Sequence, residues 1–238
     1  MAYYDLHVHS AFSEGESTIE QIAETAKMLG YSGVCFSEYF SGDQHLKKLK
    51  AEIAKAEAKA GIDISIGFEA RTVGELDKLS QMRRKFDVLL VRGGDLRLNR
   101  AACETKEVDI LTHPSYGRYD CGINHVLAKL AAKNGVAIEL NFREILISTK
   151  KTRNIVLANM RTLAELGKKY RAPLILCSGS TSHWTLRDPL CMQSMAMQLG
   201  LNIDDAKRAM SQVPAGIIRN SKDKRSENWV EEGVRVVG

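Results

Sequence analysis

Short apolar runs alternate with amphipathic segments along almost the whole chain. The apolar runs are rich in Val, Ile and Leu and nearly continuous, a pattern typical of parallel strands that are buried on both faces. Such runs predict strands at Tyr3 to Val8, Gly33 to Ser37, Ile62 to Phe68, Phe86 to Val91, Val108 to Thr112, Val136 to Asn141 and Pro173 to Ser178.

The segments between these runs repeat apolar residues at helical spacing. They predict helices at Ser17 to Leu29, Asp43 to Ala60, Val73 to Lys85, Asp95 to Glu104, Ile123 to Lys133 and Thr152 to Tyr170, followed by Asp188 to Leu199 and Ile203 to Gln212. Ser17 and Glu20 have the spacing of a capping box for the first helix, and Gly30 suits the position just after that helix ends.

The regular series of strand–helix units has no Pro/Gly/Ser-rich linker and predicts a single α/β domain. A (β/α)8 TIM-like barrel, closed or distorted, fits best, with Ala215 to Ile218 as its eighth strand. The alternative is a doubly wound open sheet, but the first strand–helix turn lacks a GxGxxG sequence. We place the barrel at residues 1–220 and a C-terminal tail at 221–238, where Trp229 and Val234 to Val237 are candidates for docking on the barrel.

The composition is that of an ordinary globular protein, since 44% of the 238 residues are hydrophobic and 26% are charged. No apolar run reaches the roughly 18 residues of a membrane span. The amino terminus lacks the basic and apolar regions of a secretory signal, so we expect a cytoplasmic protein with no membrane partner. The five cysteines are odd in number and lack CxxC spacing, and we expect them to be mostly small buried residues.

Residues with metal-binding chemistry collect near predicted strand ends, where α/β barrels carry their active sites. His7 and His9 are two residues apart on the first strand, so their side chains point to one face and can hold one zinc or manganese ion. Asp5 is either an acceptor for a ring N–H of this site or a solvated carboxylate. His45 and His125 fall on predicted helices, where a surface or partly packed histidine is expected.

The order of the strand-end residues resembles the polymerase-and-histidinol-phosphatase (PHP) family of metal-dependent phosphoesterases. That family begins with HxH and continues with a strand-end acid–His pair, a Glu, a His before Pro, and a late Gly-Ser-Asp-Ala-His. The positions that match are His7, His9, Glu69, His113 and His183. The resemblance implies a PHP-like barrel in which these five residues are candidate metal ligands.

Two ligand positions differ from the PHP pattern: Tyr39 stands where a His is expected and Thr181 where the late Asp is expected. A further family His has no evident counterpart near Glu139. Tyrosine and threonine are poor substitutes for imidazole and carboxylate ligands, so a catalytic cluster of several ions is not expected. The remaining residues can still hold one Zn or Mn ion; alternatively, hydrogen bonds satisfy these histidines in a pocket without metal.

Most of the chain also resembles the barrel-type protein subunit of archaeal and eukaryotic ribonuclease P, the family that includes archaeal protein component 3. The segments that carry this resemblance are Arg92 to Asp95, Leu98 to Glu104, Ala137 to Leu146, Lys150 to Asn154, Leu174 to Gly179 and Arg187 to Pro189. The resemblance implies a descendant of the phosphoesterase barrel that supports a catalytic RNA, which removes the 5′ leader from precursor tRNA. The implied partners are ribonuclease P RNA, precursor tRNA through the holoenzyme, and other ribonuclease P protein subunits, and no cofactor is required.

The net charge of +5 is a mild bias toward anionic partners. Basic residues near strand ends and at a helix start are candidates for phosphate contacts, which provide affinity without base specificity. The candidate RNA-binding residues are Arg92, Arg97, Arg100, Lys106, Arg143, Lys150, Lys151, Arg153 and Arg187. Any one of these charges is alternatively part of a solvated rim, and the run Arg83 to Lys85 is interpreted as an ordinary solvated face.

Three functions remain open at this point. The first is a protein subunit of ribonuclease P, a component of an endoribonuclease that is not itself the catalyst. The second is a free-standing PHP-type phosphoesterase that uses the residual His/Glu metal site. The third is a non-catalytic barrel that binds only proteins.

Overall fold

The computed structural model describes residues 1–226 and the backbone of 229–231 and 234–235. Seven parallel strands form one sheet in chain order. They are β1 (Tyr4–Val8), β2 (Gly33–Glu38), β3 (Asp63–Ala70), β4 (Val88–Arg92), β5 (Ile110–Thr112), β6 (Ala137–Asn141) and β7 (Leu174–Cys177). The sheet curls until β1 approaches β7, which confirms the TIM-like barrel and excludes the open doubly wound sheet.

The seam between β1 and β7 is closed beyond the end of the β7 ladder. Val8 forms a parallel bridge with Ser180, and the backbone N–H of His9 donates to the Ser180 carbonyl at 2.8 Å. The carboxylate of Asp5 accepts the backbone N–H groups of His7 and Ser178, each at 3.2 Å. Asp5 is fully buried, and burial raises its pKa to about 6 despite these hydrogen bonds. Asp5 is therefore neither an acceptor for a ring N–H nor a solvated carboxylate, because its hydrogen bonds tie backbone across the seam.

Helices follow the strands and surround the barrel. They are α1 (Ile19–Met28), α2 (Asp43–Ala60), α3 (Val73–Gln81), α4 (Leu96–Glu104), α5 (His125–Asn134), α6 (Phe142–Ile147), α7 (Lys150–Tyr170), α8 (Pro189–Gln198), α9 (Ile203–Met210) and α10 (Gln212–Lys224). Within the described part of the chain, no helix is long and apolar enough to cross a membrane. Two short strands, β8 (Trp229–Glu231) and β9 (Val234–Arg235), pair antiparallel after α10.

The prediction of an eighth strand at Ala215 to Ile218 is wrong, because these residues lie on α10. Ile217 and Ile218 are buried against the side chains that fill the barrel. Those side chains are Leu6, Cys35, Val88, Leu90, Ile110, Ala137, Ile175 and Cys177. The β-branched pair that suggested a strand thus packs into the barrel from a helix. A second, larger core lies between the strands and the outer helices.

Several local predictions need correction. The cap of α1 is Thr18, which forms a capping box with Gln21, so the predicted pairing of Ser17 with Glu20 is one residue out of register. Gly30 does follow that helix with a left-handed φ of 90°. Helix α6 was not predicted, and the third helix ends at Gln81, before a 3-10 turn at Arg83–Lys85.

Arg83 is buried rather than solvated, and its Nη2 lies 2.5 Å from Asp109 Oδ2. His125 is exposed and His45 is partly packed, as expected for helical histidines. All five cysteines are free, and four of them are buried.

The division into residues 1–220 and a tail from 221 stays a prediction. Helix α10 continues past residue 220 to Lys224, and Ser221 is buried on it. The side chains of Trp229 and Val234, and residues 236 and 237 altogether, lie outside the described residues, so the predicted docking of the tail is not tested.

Candidate functional site

His7 and His9 meet at the carboxyl end of β1, as their spacing predicts. Their Nε2 atoms are 3.1 Å apart, and both side chains are buried. The Nδ1 of His7 lies 2.6 Å from Glu139 Oε1 on β6, and the Nδ1 of His9 lies 3.2 Å from Ser13 Oγ. Partners on both Nδ1 atoms orient the two rings so that both Nε2 atoms face the same point in the pocket.

Glu69, near the end of β3, brings a carboxylate to the same point. Its carboxylate oxygens lie 3.6 Å from His7 Nε2 and 4.0 Å from His9 Nε2. The hydroxyl of Thr112 donates to Glu69 Oε1 at 2.6 Å. Oε2 is buried and, among the residues that the structure describes, has no hydrogen-bond partner. A buried carboxylate oxygen without a partner is costly, so this atom points to a missing ligand.

His113 enters the pocket from the end of β5 with a left-handed φ of 48°, which is uncommon for a residue other than glycine. Two carboxylates hold it there. Its backbone N–H donates to Glu139 Oε2 at 3.0 Å, and its Nδ1 lies 2.7 Å from Glu144 Oε1. The ring stands edge-on to His7 with the centroids 5.0 Å apart.

The electrostatics distinguish the two histidines of β1. Burial disfavours a charged His7, but the adjacent carboxylates of Glu139 and Glu69 outweigh it and raise the pKa of His7. Burial lowers the pKa of His9 well below its ordinary value, and the charge of the adjacent His7 lowers it further. A charged His7 therefore donates to Glu139 and to the neutral His9. A metal ion must displace the proton on His7 Nε2 to bind there.

Tyr39 occupies a place beside His9, with the ring centroids 5.6 Å apart. Its phenol O–H donates to Glu14 Oε2 at 2.8 Å and accepts a hydrogen bond from Arg92 Nη1 at 2.6 Å. The guanidinium of Arg71 lies over the Tyr39 ring, 4.1 Å from its centroid. Tyr39 is thus held by a carboxylate and two arginines.

His183 lies apart from the other predicted ligands. Its Nδ1 is 2.7 Å from the hydroxyl of Ser17, and its ring packs against Trp184 on a 3-10 turn after β7. The groups of described residues that can share an ion are His7 with His9 and Glu69, and His7 with His113 and Glu139. Thr181, which precedes this turn, accepts the N–H of Glu16 through its carbonyl.

The pocket residues fit one metal ion. His7, His9 and Glu69 offer two imidazole nitrogens and a carboxylate oxygen, the ligand types of zinc and manganese sites, and these atoms lie within 4.8 Å of one another. Each of the three is oriented by a further hydrogen bond, as ligands of protein metal sites commonly are.

The predicted RNA-binding residues fall at two ends of the barrel. Arg92 ends β4, Arg143 begins α6 after β6, and Arg187 follows β7, so all three lie at the carboxyl ends of the strands. Lys150, Lys151 and Arg153 are exposed at the start of α7, which has no acidic residue in its first turn.

The remaining predicted RNA-binding residues, Arg97, Arg100 and Lys106, lie along α4 and just after it. Arg97 lies in its first turn, whereas Arg100 pairs with Glu104 further along the helix at 2.8 Å. Lys106 follows α4 and precedes β5, so it lies at the opposite end of the barrel.

Three carboxylates were missed as site residues. Glu139 carried a signal, because it is an acidic residue inside an otherwise apolar strand. Glu144 lies on the unpredicted helix α6, and Glu14 lies in the loop before α1. Neither has a sequence pattern that marks it as part of this pocket.

The chain is similar to known proteins over nearly its full length. The family model described as RNase P subunit p30 matches residues 2–226. A protein of Methanosarcina mazei named Ribonuclease P protein component 3 is 36% identical over 235 residues, which cover 99% of this chain and 95% of that protein. A protein of the same name from Methanothermobacter thermautotrophicus is 32% identical, with 100% of this chain and 96% of that protein covered.

A solved structure agrees with these relatives. A chain of the cryo-EM structure of archaeal ribonuclease P with mature tRNA superimposes with a TM-score of 0.85 at 27% identity. The superposition covers 99% of this chain and 98% of the other. The similarity therefore includes the whole barrel and not only the pocket.

Proposed function

This chain belongs to the ribonuclease P subunit p30 family, and from that premise we propose that it is a protein subunit of ribonuclease P. It binds and supports the catalytic RNA that removes the 5′ leader from precursor tRNA. The observation that carries this conclusion is the similarity along residues 2–226 together with the superposition on a chain of archaeal ribonuclease P. Its partners are ribonuclease P RNA, precursor tRNA through the holoenzyme, and the other protein subunits.

The pocket supports a role outside catalysis. Tyr39 and Arg92 occupy the space beside His9, and the charged Arg92 offers donors but no lone pair for a metal ion. The chain is thus a component of an endoribonuclease whose hydrolytic step belongs to the RNA.

Reconstitution tests the assignment directly. Ribonuclease P RNA, the other protein subunits and precursor tRNA are combined with and without the full chain, and 5′ leader removal is measured. We expect the chain to increase the cleavage rate or to lower the magnesium requirement. The assignment fails if cleavage is the same with and without it.

The second function, a free-standing phosphoesterase, has a distinct outcome. The isolated chain is given manganese or zinc and p-nitrophenyl phosphate. We expect no turnover above that of the metal alone. Turnover that His9→Ala abolishes, in a variant whose circular dichroism is unchanged, would establish the phosphoesterase instead.

A separate proposal concerns the basic residues at the start of α7, which are Lys150, Lys151 and Arg153. They are exposed side by side at a helix start, where backbone N–H groups and the helix dipole also favour phosphate. We assign them to the RNA backbone, where they add affinity and salt dependence without reading bases.

For the pocket, the proposal is a single zinc or manganese ion held by His7, His9 and Glu69. The unpartnered Glu69 Oε2 supports it. When bound, the ion would neutralise Glu69 and tie β1 to β3, and leader removal does not require it. Elemental analysis of the purified chain and of the His9→Ala variant tests this proposal. We expect about one ion per chain in the wild type and a large loss of bound metal in the variant. A wild-type chain that stays metal-free after incubation with manganese or zinc contradicts the proposal.

A further inference from the structure

Arg92 turns inward over the mouth of the pocket rather than outward to solvent. Its side chain is only 23% exposed. The Nη1 atom lies 2.6 Å from the Tyr39 phenol oxygen, 3.2 Å from Glu14 Oε2 and 3.6 Å from Glu69 Oε2. One guanidinium therefore sits among two carboxylates and a phenol.

The groups around this guanidinium are also suited to a divalent cation. The Nε2 of His9 lies 3.7 Å from Glu14 Oε1 and 4.0 Å from Glu69 Oε2. Carboxylate oxygens and a neutral imidazole nitrogen are ordinary manganese and zinc ligands. Glu69 Oε2 is buried, and its 3.6 Å separation from Arg92 Nη1 is too long for a hydrogen bond. Arg92 thus supplies charge to this oxygen without satisfying it.

Tyr39 fixes the direction of the hydrogen bonds at this position. A phenol carries its proton at neutral pH and can donate one hydrogen bond while it accepts another. Since the phenol donates that proton to Glu14, its oxygen is free to accept from Arg92. The chain of donors runs from Arg92 through Tyr39 to Glu14 and holds the guanidinium in place.

We propose that Arg92 is a built-in cation that fills the position where Glu14 and Glu69 would otherwise bind a divalent metal ion. The guanidinium of arginine stays protonated at neutral pH. Its positive charge at this position is therefore permanent. Removing it takes away the cation that lies against both carboxylates, and Glu14 with Glu69 Oε2 then recruits an ion. This inference shares Glu69 with the single-ion site proposed above, since the two oxygens of a carboxylate can bind two ions, whereas His9 Nε2 has one lone pair and binds only the ion of that site. It does not depend on the role in RNA binding.

Metal stoichiometry of the full-length chain tests this inference. Purified chain is stripped with EDTA, dialysed against manganese, and its bound manganese is measured by elemental analysis. We expect Arg92→Ala to bind one more manganese ion per chain than the wild type. Arg92→Lys retains the positive charge, and we expect it to match the wild type. Arg208→Ala removes an exposed arginine on α9, far along the chain from the pocket, and serves as the matched control.

A second variant identifies the ligands of the added ion. We expect Arg92→Ala combined with Glu14→Gln to lose the additional ion. Thermal melting gives an independent readout: manganese should raise the melting temperature of Arg92→Ala more than that of the wild type. If Arg92→Ala is insoluble, Arg92→Gln takes its place, because the glutamine amide keeps some of the hydrogen bonding.

The outcomes separate this inference from the other proposals. Equal stoichiometry in the wild type and in folded Arg92→Ala or Arg92→Gln overturns it. An ion-free wild type with one ion in Arg92→Ala supports it while overturning the single-ion site. Neither result bears on whether the chain supports leader removal.

Discussion

Arg83 and Asp109 form a buried ion pair at the amino ends of β4 and β5. Asp109 Oδ2 accepts from Arg83 Nη2 at 2.5 Å and from the Leu89 N–H at 2.7 Å. The guanidinium also donates to the carbonyls of Phe86 and Glu107. Breaking a buried pair is costly because it leaves the other charge without a partner.

Asp109→Ala is therefore expected to lower the free energy of unfolding by about 3–5 kcal/mol. Urea denaturation followed by circular dichroism measures this. Glu104→Ala is the control, because it breaks the exposed pair with Arg100 and should cost about 1 kcal/mol or less. Similar losses in the two variants would show that the Arg83 pair contributes no more than a surface contact.

The cysteines differ in burial, and we therefore expect their thiols to differ in reactivity. Cys35, Cys103, Cys121 and Cys177 are buried and Cys191 is exposed. Burial raises the pKa of the Cys35 and Cys177 thiols well above their ordinary value, which suppresses the reactive thiolate.

In the native chain at pH 8, we expect a thiol reagent such as DTNB to label Cys191 rapidly and the four buried thiols slowly. All five should react in guanidinium chloride. Cys191→Ser should abolish the rapid phase and serves as the control. A rapid native reaction of two or more thiols would contradict the burial of the others.

At this scale, the sequence predicts residues whose chemistry is tied to a pattern. His7 and His9 were predictable from their spacing on a strand, and Glu69 and His113 from their places at strand ends. Glu14 and Glu144 could not be predicted, because what brings them to the pocket is the path of a loop and of a short helix. His183 was predicted from its order in the chain, but its ring pairs with Ser17.

Helix α10 shows the limit of periodicity for single elements. Its residues Ala215 to Ile218 contain an apolar β-branched pair, which a strand and a short stretch of helix can share. Packing in the folded chain decides between the two structures, because Ile217 and Ile218 pack from a helix against the side chains that fill the barrel. Where the whole element is long and evenly patterned, as in α2, the predicted bounds Asp43–Ala60 match the structure.

Ile217→Ala is expected to lower the free energy of unfolding by about 2–5 kcal/mol, because it leaves a cavity among the side chains that fill the barrel. Equilibrium unfolding in urea measures the loss. The matched control is Ile147→Ala on α6, where the side chain is 54% exposed and little should change. Equal effects at the two positions would mean that α10 does not seal the barrel.

The whole molecule has a net charge of +5, but the distribution of charge matters more than its sum. Lys150, Lys151 and Arg153 lie together at the start of α7, whereas Lys47, Lys48 and Lys50 lie on α2. A single α/β barrel was predictable from the strand–helix repeat. The position of the basic residues at one end of the barrel was only partly predictable, because Lys106, a predicted RNA-binding residue, lies at the opposite end.

Replacing Lys150, Lys151 and Arg153 together with Ala should weaken binding to ribonuclease P RNA and flatten its salt dependence. With roughly 0.7–0.9 for each phosphate contact, the slope of log K against log salt should fall in magnitude by about 2–3. Filter binding across a range of potassium concentrations gives the slope.

The matched control for that measurement is the replacement of Lys47, Lys48 and Lys50 with Ala, which removes the same charge from α2. It should leave the slope nearly unchanged. If both triple variants change the slope equally, the RNA responds to net charge alone and the start of α7 is not a contact site.

The closed seam of the barrel has a consequence for biosynthesis. The carboxylate of Asp5 meets the N–H of Ser178 across 173 positions of the chain, so β1 leaves the ribosome long before β7 completes its surroundings. Ile217 and Ile218, which seal the interior, arrive later still. Contacts of such long sequence separation slow folding. The nascent chain therefore carries an unfinished barrel, with apolar strands exposed, and is prone to aggregation until α10 has emerged.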